Sequence, residues 1–227
     1  MTEPRDRDRA GCGPGCACTV GNEFGERDAR HDQKSYRKSG PARTTTWLIE
    51  GLIGDGIVGQ TVLDIGAGIG AVHLALLEAG AASAVDVDGS PAYVSVAREE
   101  AERVDRRAAV RYETGDFVEL AEAIEPADLV ALDRVVCCYP DMPALVGLSV
   151  ARARRRYGLV YPRDRWWIRV GSRVLNALAA LARRRLRFHV HRTADVDTRI
   201  RGAGFRPILQ RTTVFWQVAV YERAPAP

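Results

Sequence analysis

The stretch Thr61-Val62-Leu63-Asp64-Ile65-Gly66-Ala67-Gly68-Ile69-Gly70 constrains this chain more than any other. Val62, Leu63 and Ile65 around a lone acid read as a buried parallel strand, and three glycines close it. The apolar positions Val72, Leu74, Ala75, Leu76 and Leu77 then predict a helix from Ala71 to Ala79. A strand feeding a glycine turn that opens a helix is the nucleotide-binding half of a doubly wound α/β sheet. Glycine suits the turn because the backbone must reverse tightly and approach a ligand with no Cβ in the way. A second predicted strand, Ala84 to Asp88, again ends in an acid, with Ser90 as N-cap and Pro91 opening the next helix. An acid about 20 residues past such a turn can accept from both hydroxyls of an adenosine ribose. Asp88 fits that role better than Asp86, because it abuts the turn.

Which nucleotide is a separate question, because Gly66-x-Gly68-x-x-Ala71 also satisfies the loose dinucleotide pattern. Asp64 separates the two readings. A dinucleotide turn offers N–H groups and a helix N-terminus to a pyrophosphate, which a nearby acid would repel. S-adenosylmethionine carries no phosphate and brings an ammonium and a sulfonium, which an acid suits. Leu63-Asp64-Ile65-Gly66-Ala67-Gly68-x-Gly70, with Asp88 and Gly115-Asp116-Phe117, resembles the class I S-adenosylmethionine-dependent methyltransferases. The resemblance implies an α/β, doubly wound, Rossmann-like sheet closed by an antiparallel hairpin, with S-adenosyl-L-methionine as cofactor. It places Asp64, Gly66, Ala67, Gly68, Asp88, Asp116, Phe117 and Asp133 around that cofactor. Asp116 and Phe117 form the adenine-side loop, although Asp116 also reads as the cap of the helix after it.

Length leaves room for one domain of this kind with modest additions. Residues 1–20 are polar and carry Cys12, Cys16 and Cys18; they read as a disordered tail. Those thiols, with Cys137, Cys138 or His31, could bind a soft metal, but the spacing matches no standard zinc signature, and no metal site is assigned. Residues 21–57 predict two helices, Phe24 to Lys38 and one capped by Thr44–Thr46, as a lid; residues 58–223 form the methyltransferase domain. No apolar leader precedes them, which makes the cytoplasm the expected location. The net charge of +4, almost wholly from arginine, is too small to argue for nucleic acid.

Further strands are expected over Ala109–Glu113, Ala127–Leu132 and Tyr157–Tyr161, and a hairpin over Arg206–Thr212 and Val214–Tyr221. The run Arg152–Arg156 reads as a solvated helix end, and His73 as a surface histidine. Trp166 to Ala182 is too short and charged to span a bilayer. Its apolar positions fit either an amphipathic helix laid on the sheet or an interfacial surface that contacts a membrane peripherally.

A narrower likeness lies in Cys138-Tyr139-Pro140, Tyr161-Pro162-Arg163 and His191-Arg192-Thr193-Ala194-Asp195-Val196, which resemble the magnesium-protoporphyrin O-methyltransferases. That likeness implies methylation of a propionate carboxylate on a tetrapyrrole. It makes Tyr36 a lid tyrosine that closes on the substrate and His191 a histidine near its rim. Cys138 stands where that family places a histidine implicated in catalysis. The expected partner is therefore a small-molecule methyl acceptor: a tetrapyrrole carboxylate, or another phenol, amine or acid. A nucleic-acid methyltransferase, an NAD-dependent enzyme and a non-catalytic metal-binding scaffold are the alternatives from other classes.

Overall fold

The computed structural model describes residues 24–182 and 187–225. Seven strands form one sheet: β1 (Thr61–Ile65), β2 (Ser83–Asp88), β3 (Val110–Thr114), β4 (Ala127–Asp133), β5 (Ala153–Pro162), β6 (Phe205–Thr212) and β7 (Trp216–Arg223). Their spatial order is β3-β2-β1-β4-β5-β7-β6. Strands β1 to β5 are mutually parallel, while β7 runs antiparallel to both β5 and β6. The expected doubly wound sheet with a closing hairpin is present.

Eight helices accompany the sheet among the described residues: α1 (Glu26–Ser39), α2 (Arg43–Ile53), α3 (Ala71–Glu78), α4 (Pro91–Arg103), α5 (Phe117–Leu120), α6 (Met142–Ala151), α7 (Trp166–Leu181) and α8 (Thr193–Gly202). The central strands are apolar throughout because both of their faces are covered. Along β4, Val130 and Leu132 join a core with Leu145 and Val146 of α6 and Ile200 of α8. Leu129 and Ala131 point the other way, into a core with Leu48 and Leu52 of α2 and Val72 and Leu76 of α3. Helix α1 packs on α4, where Arg37 and Gln33 reach the buried Glu100 at 2.7 and 2.8 Å.

Two local expectations are corrected. The Arg152–Arg156 run is not a solvated helix end: β5 begins at Ala153 and runs through it. Arg156 is buried, donates to Leu52 O and Ile53 O at 3.1 and 2.8 Å, and pairs with Asp55 and Glu222. Its guanidinium satisfies carbonyls at the end of α2, which is why a cation is tolerated at the sheet. His73 is not on the surface either; it is fully buried, with Nδ1 3.0 Å from Asp64 Oδ2.

Order reverses between β1 and β4, so the connections leaving their carboxyl ends diverge to opposite faces of the sheet. That divergence opens a crevice where ligands bind in such folds.

Candidate active site

A cavity of about 590 Å³ occupies the crevice. One end is built by backbone. Gly66 and Gly68 hold φ of +63° and +58°, and a Cβ on Gly66 would come within 2.5 Å of Val135. Asp88 Oδ2 accepts from Gly68 N at 2.9 Å and its Oδ1 from Ser90 N at 2.8 Å. These bonds fix the carboxylate against the turn and leave lone pairs for a ligand. Burial pushes its pKa up to about 6, against the downward pull of the Ser90 and Gly68 N–H groups. Asp116 caps α5 through Val118 N at 3.0 Å and accepts from the Tyr139 hydroxyl at 2.9 Å, so it serves as cap and cavity wall together.

The other end is built by side chains from distant elements. Asp133, at the end of β4, accepts from Thr45 of α2 at 2.5 Å. Burial raises its carboxyl above the ordinary range, and its Oδ1 has no hydrogen-bond partner. Arg134 follows in a left-handed conformation, φ +63°. Its guanidinium donates to Thr44 Oγ1 at 2.9 Å and lies 5.5 Å from the Trp216 ring centroid. Phe188 and Trp216 stand edge to face at 6.3 Å and line the same end. Cys138 lines it too, with its sulfur 3.6 Å from that of the buried Cys137.

Of the residues singled out from the sequence, Tyr36, Gly66, Ala67, Gly68, Asp88, Asp116, Phe117, Asp133 and Cys138 all line this one cavity. Asp64 and His191 are not among the lining residues. Asp64 is fully buried behind the glycine turn, where its Oδ2 accepts from His73 N at 3.2 Å and contacts His73 Nδ1. His191 sits behind the β4–α6 connection, its Nε2 3.1 Å from Val136 O and 3.2 Å from Tyr139 O. Carbonyls only accept, so Nε2 carries the proton, and burial holds the ring pKa below its usual value. The histidine therefore braces the loop that carries Cys138 and Tyr139.

Sequence reasoning passed over Thr45, Arg134, Trp216, Tyr93 and Asp32. Tyr93 donates to Asp32 of α1 at 2.6 Å, tying α1 to α4 beside the glycine end. No motif marks these residues, because each reaches the cavity by packing between elements far apart in sequence. Cys12, Cys16 and Cys18 lie outside the described residues, as does the tail they were assigned to. Among the described residues no cluster of three or more His, Cys, Asp or Glu side chains could hold a metal ion. No helix there is long and apolar enough to cross a membrane.

Residues 62–155 match the family described as "Methyltransferase domain". Those residues carry a methyltransferase domain. The chain is 30% identical over 118 residues to the ribosomal protein L11 methyltransferase of Edwardsiella ictaluri (strain 93-146). That alignment covers 49% of this chain and 40% of the relative, so the chain spans about two fifths of the relative's length. Its fold is similar to magnesium protoporphyrin IX methyltransferase from Synechocystis PCC 6803, solved with S-adenosylhomocysteine bound (TM-score 0.68, 22% identity, 90% of this chain and 98% of the other). It is also similar to an O-methyltransferase family protein from Burkholderia thailandensis (TM-score 0.65, 16% identity, 88% of this chain and 61% of the other).

S-adenosylmethionine is the cofactor of this domain class, and the crevice fits it. The glycine cradle would be filled by any Cβ at Gly66. The walls beside the cradle present the carboxylates of Asp88 and Asp116 rather than the cations a pyrophosphate would need.

Proposed function

We propose that the methyltransferase domain transfers a methyl group from S-adenosylmethionine to a carboxylate oxygen of a flat, largely apolar small molecule of the magnesium-protoporphyrin type. The observation that carries this reading is the division of charge in the cavity. The carboxylates of Asp88 and Asp116 line the glycine end, while the other end holds the one cation among the lining residues, the guanidinium of Arg134, beside Asp133 and 5.5 Å from the Trp216 ring.

When bound, the cofactor supplies an activated methyl on a sulfonium. Asp88 would hold the ribose hydroxyls, and Asp116 and Phe117 the adenine. The backbone at Gly66, Ala67 and Gly68 and the carboxylate of Asp133 would receive the cationic methionine end. Asp64, one layer deeper, supports the turn through His73. At the acceptor end, Arg134 would orient a carboxylate, and the aromatic rim together with Tyr36 would seat an apolar ring system. A carboxylate is already ionised at neutral pH, so the site needs no general base. The tyrosines agree with that chemistry: burial and the Asp116 carboxylate push Tyr139 above its usual range, and burial raises Tyr36. Alignment and exclusion of water then carry the acceleration.

Incubation with methyl-labelled S-adenosylmethionine and magnesium protoporphyrin tests this directly, with the porphyrin read by mass. A single added methyl that saponification removes is expected. No transfer, with S-adenosylhomocysteine still bound in calorimetry, would move the acceptor to another acid, phenol or amine and leave the domain assignment standing.

A further inference from the structure

Helix α7 is unlike the other helices of this domain. Eleven large apolar side chains are exposed among the described residues, and seven of them lie on this one helix. Trp166 is 77% exposed, Leu178 59% and Leu181 84%. Ile168 and Ser172 are the helix's only buried residues, and they mark the side that rests on the domain. At about 100° per residue, Trp166, Val170, Val174, Leu178 and Leu181 fall on one stripe roughly 120° wide. The stripe lies on the opposite side of the helix from Ile168 and Ser172. A helix packed as a layer on a sheet would turn such a stripe inward.

Charge follows the same segment. Eight of the chain's 33 basic residues but one of its 29 acidic residues fall within 163–187, which leaves the rest of the chain with three more acids than bases. On the helix, Arg169 and Arg173 border the apolar stripe along one side, and Arg173 is exposed, as is Arg165 just before it. The single acid, Asp164, is already paired with Arg169. A second copy of this chain would bring the same positive segment to the contact, so self-association through this face works against charge repulsion. An apolar stripe bordered by arginine and free of acid is instead the pattern of a helix lying in the plane of an anionic lipid surface.

We propose that α7 docks this protein peripherally on anionic membranes, with Trp166, Val170, Val174, Leu178 and Leu181 buried below the headgroups and Arg165 and Arg173 among the lipid phosphates. The helix also touches the cavity wall. Asn176 donates to Phe188 O at 2.9 Å and accepts from Phe188 N at 2.8 Å, and Phe188 lines the acceptor end. Seating α7 on a bilayer would bring that rim to the lipid surface, a route for an apolar acceptor. The docking itself does not depend on which acceptor is methylated.

The test is co-sedimentation of the full chain with vesicles of phosphatidylcholine alone or with about one third phosphatidylglycerol. Binding to the anionic vesicles is expected, with little to neutral ones and a steep loss as salt is raised. Leu178→Glu with Leu181→Glu should abolish it, and Arg165→Gln and Arg173→Gln should each weaken it about fivefold. All three variants should keep S-adenosylhomocysteine affinity, which shows that they are folded. Equal binding to both vesicle types, no binding, or a dimer in sedimentation equilibrium that Leu178→Glu dissolves would each overturn the proposal.

Discussion

The two ends of the cavity are made by different means. At the glycine end, one short segment and one acid settle the geometry: the turn after β1 bends on its own glycines, and Asp88 is tied to it by two backbone N–H groups. At the acceptor end no local motif exists. Thr45 reaches Asp133 across 88 residues, and Thr44 reaches Arg134 across 90. A wall of backbone accepts little variation, whereas a wall of side chains can be rebuilt one residue at a time. Under the proposed function, the first would hold a cofactor common to a class and the second an acceptor particular to one protein.

The largest effect should come from removing the carboxylate at the glycine end. Asp88→Ala should weaken S-adenosylhomocysteine binding by about 100-fold or more, the worth of two hydrogen bonds to a charged group. Calorimetry checks it. Unchanged affinity would place the ribose elsewhere and erase the contrast between the two ends. Arg134 supplies the opposite case. Arg134→Ala should lower kcat/KM for a carboxylate acceptor by roughly 10- to 100-fold, while S-adenosylhomocysteine affinity stays within about twofold. Arg134→Lys should recover only part of the loss, because a point charge lacks the guanidinium fork. If both affinities fell together, Arg134 would belong to the cofactor.

The same contrast explains what was legible in the sequence. Gly66, Gly68, Asp88, Asp116 and Phe117 could be grouped from the sequence, and they line one cavity, because their spacing along the chain is their geometry. Asp133 and Cys138 were legible as the end of a strand at the switch point and the segment that follows it. Arg134 stands beside them in sequence, yet its left-handed backbone and its contact with Trp216 are products of packing. Asp64 shows the limit of reading a motif by charge alone. Its position two residues before the glycine suggested contact with a cation, but strand alternation turns it inward, and His73 takes its Oδ2. The Arg152–Arg156 run failed for a related reason. Burial of Arg156 requires Asp55, 101 residues away, and Glu222, 66 residues on, and neither is visible from a local window.

A smaller and more specific effect should appear with pH. Asp88 has a pKa of about 6 against an ordinary 3.8 because burial disfavours its charge. The folded state therefore holds an extra proton between about pH 4 and 6, and this group makes the ligand-free protein less stable as pH rises through that window. In the proposed binding mode the ribose hydroxyls would donate to the ionised form, which gives binding the opposite slope. S-adenosylhomocysteine affinity should be flat above pH 7 and about tenfold weaker at pH 5. Asp116 and Asp133 are raised in the same direction, so the control is Asp88→Asn, which should remove most of the step. A step that survives in Asp88→Asn would belong to one of the other two acids.

The smallest expected effect on the cofactor is also the one that best separates the ends. Cys137 and Cys138 are adjacent thiols in unlike settings. A hydrogen bond with Cys138 and burial push the Cys137 thiol up, while the same contact holds Cys138 below the usual thiol range. Only a thiolate is a strong nucleophile. Iodoacetamide should therefore alkylate Cys138 and spare Cys137, as peptide mass mapping would show. Because Cys138 faces the acceptor end, saturating S-adenosylhomocysteine should not protect it, and the alkylated protein should bind S-adenosylhomocysteine within about twofold of the untreated one. Turnover of the acceptor should fall, because the added group occupies the space beside Arg134 and Tyr139. Cys138→Ala should resist the reagent and keep most of its activity if the thiol only fills space. A loss of turnover in Cys138→Ala as large as that from alkylation would instead give the sulfur a chemical part in methyl transfer. Protection by S-adenosylhomocysteine would show that the cofactor reaches Cys138 and that the two ends meet at this sulfur.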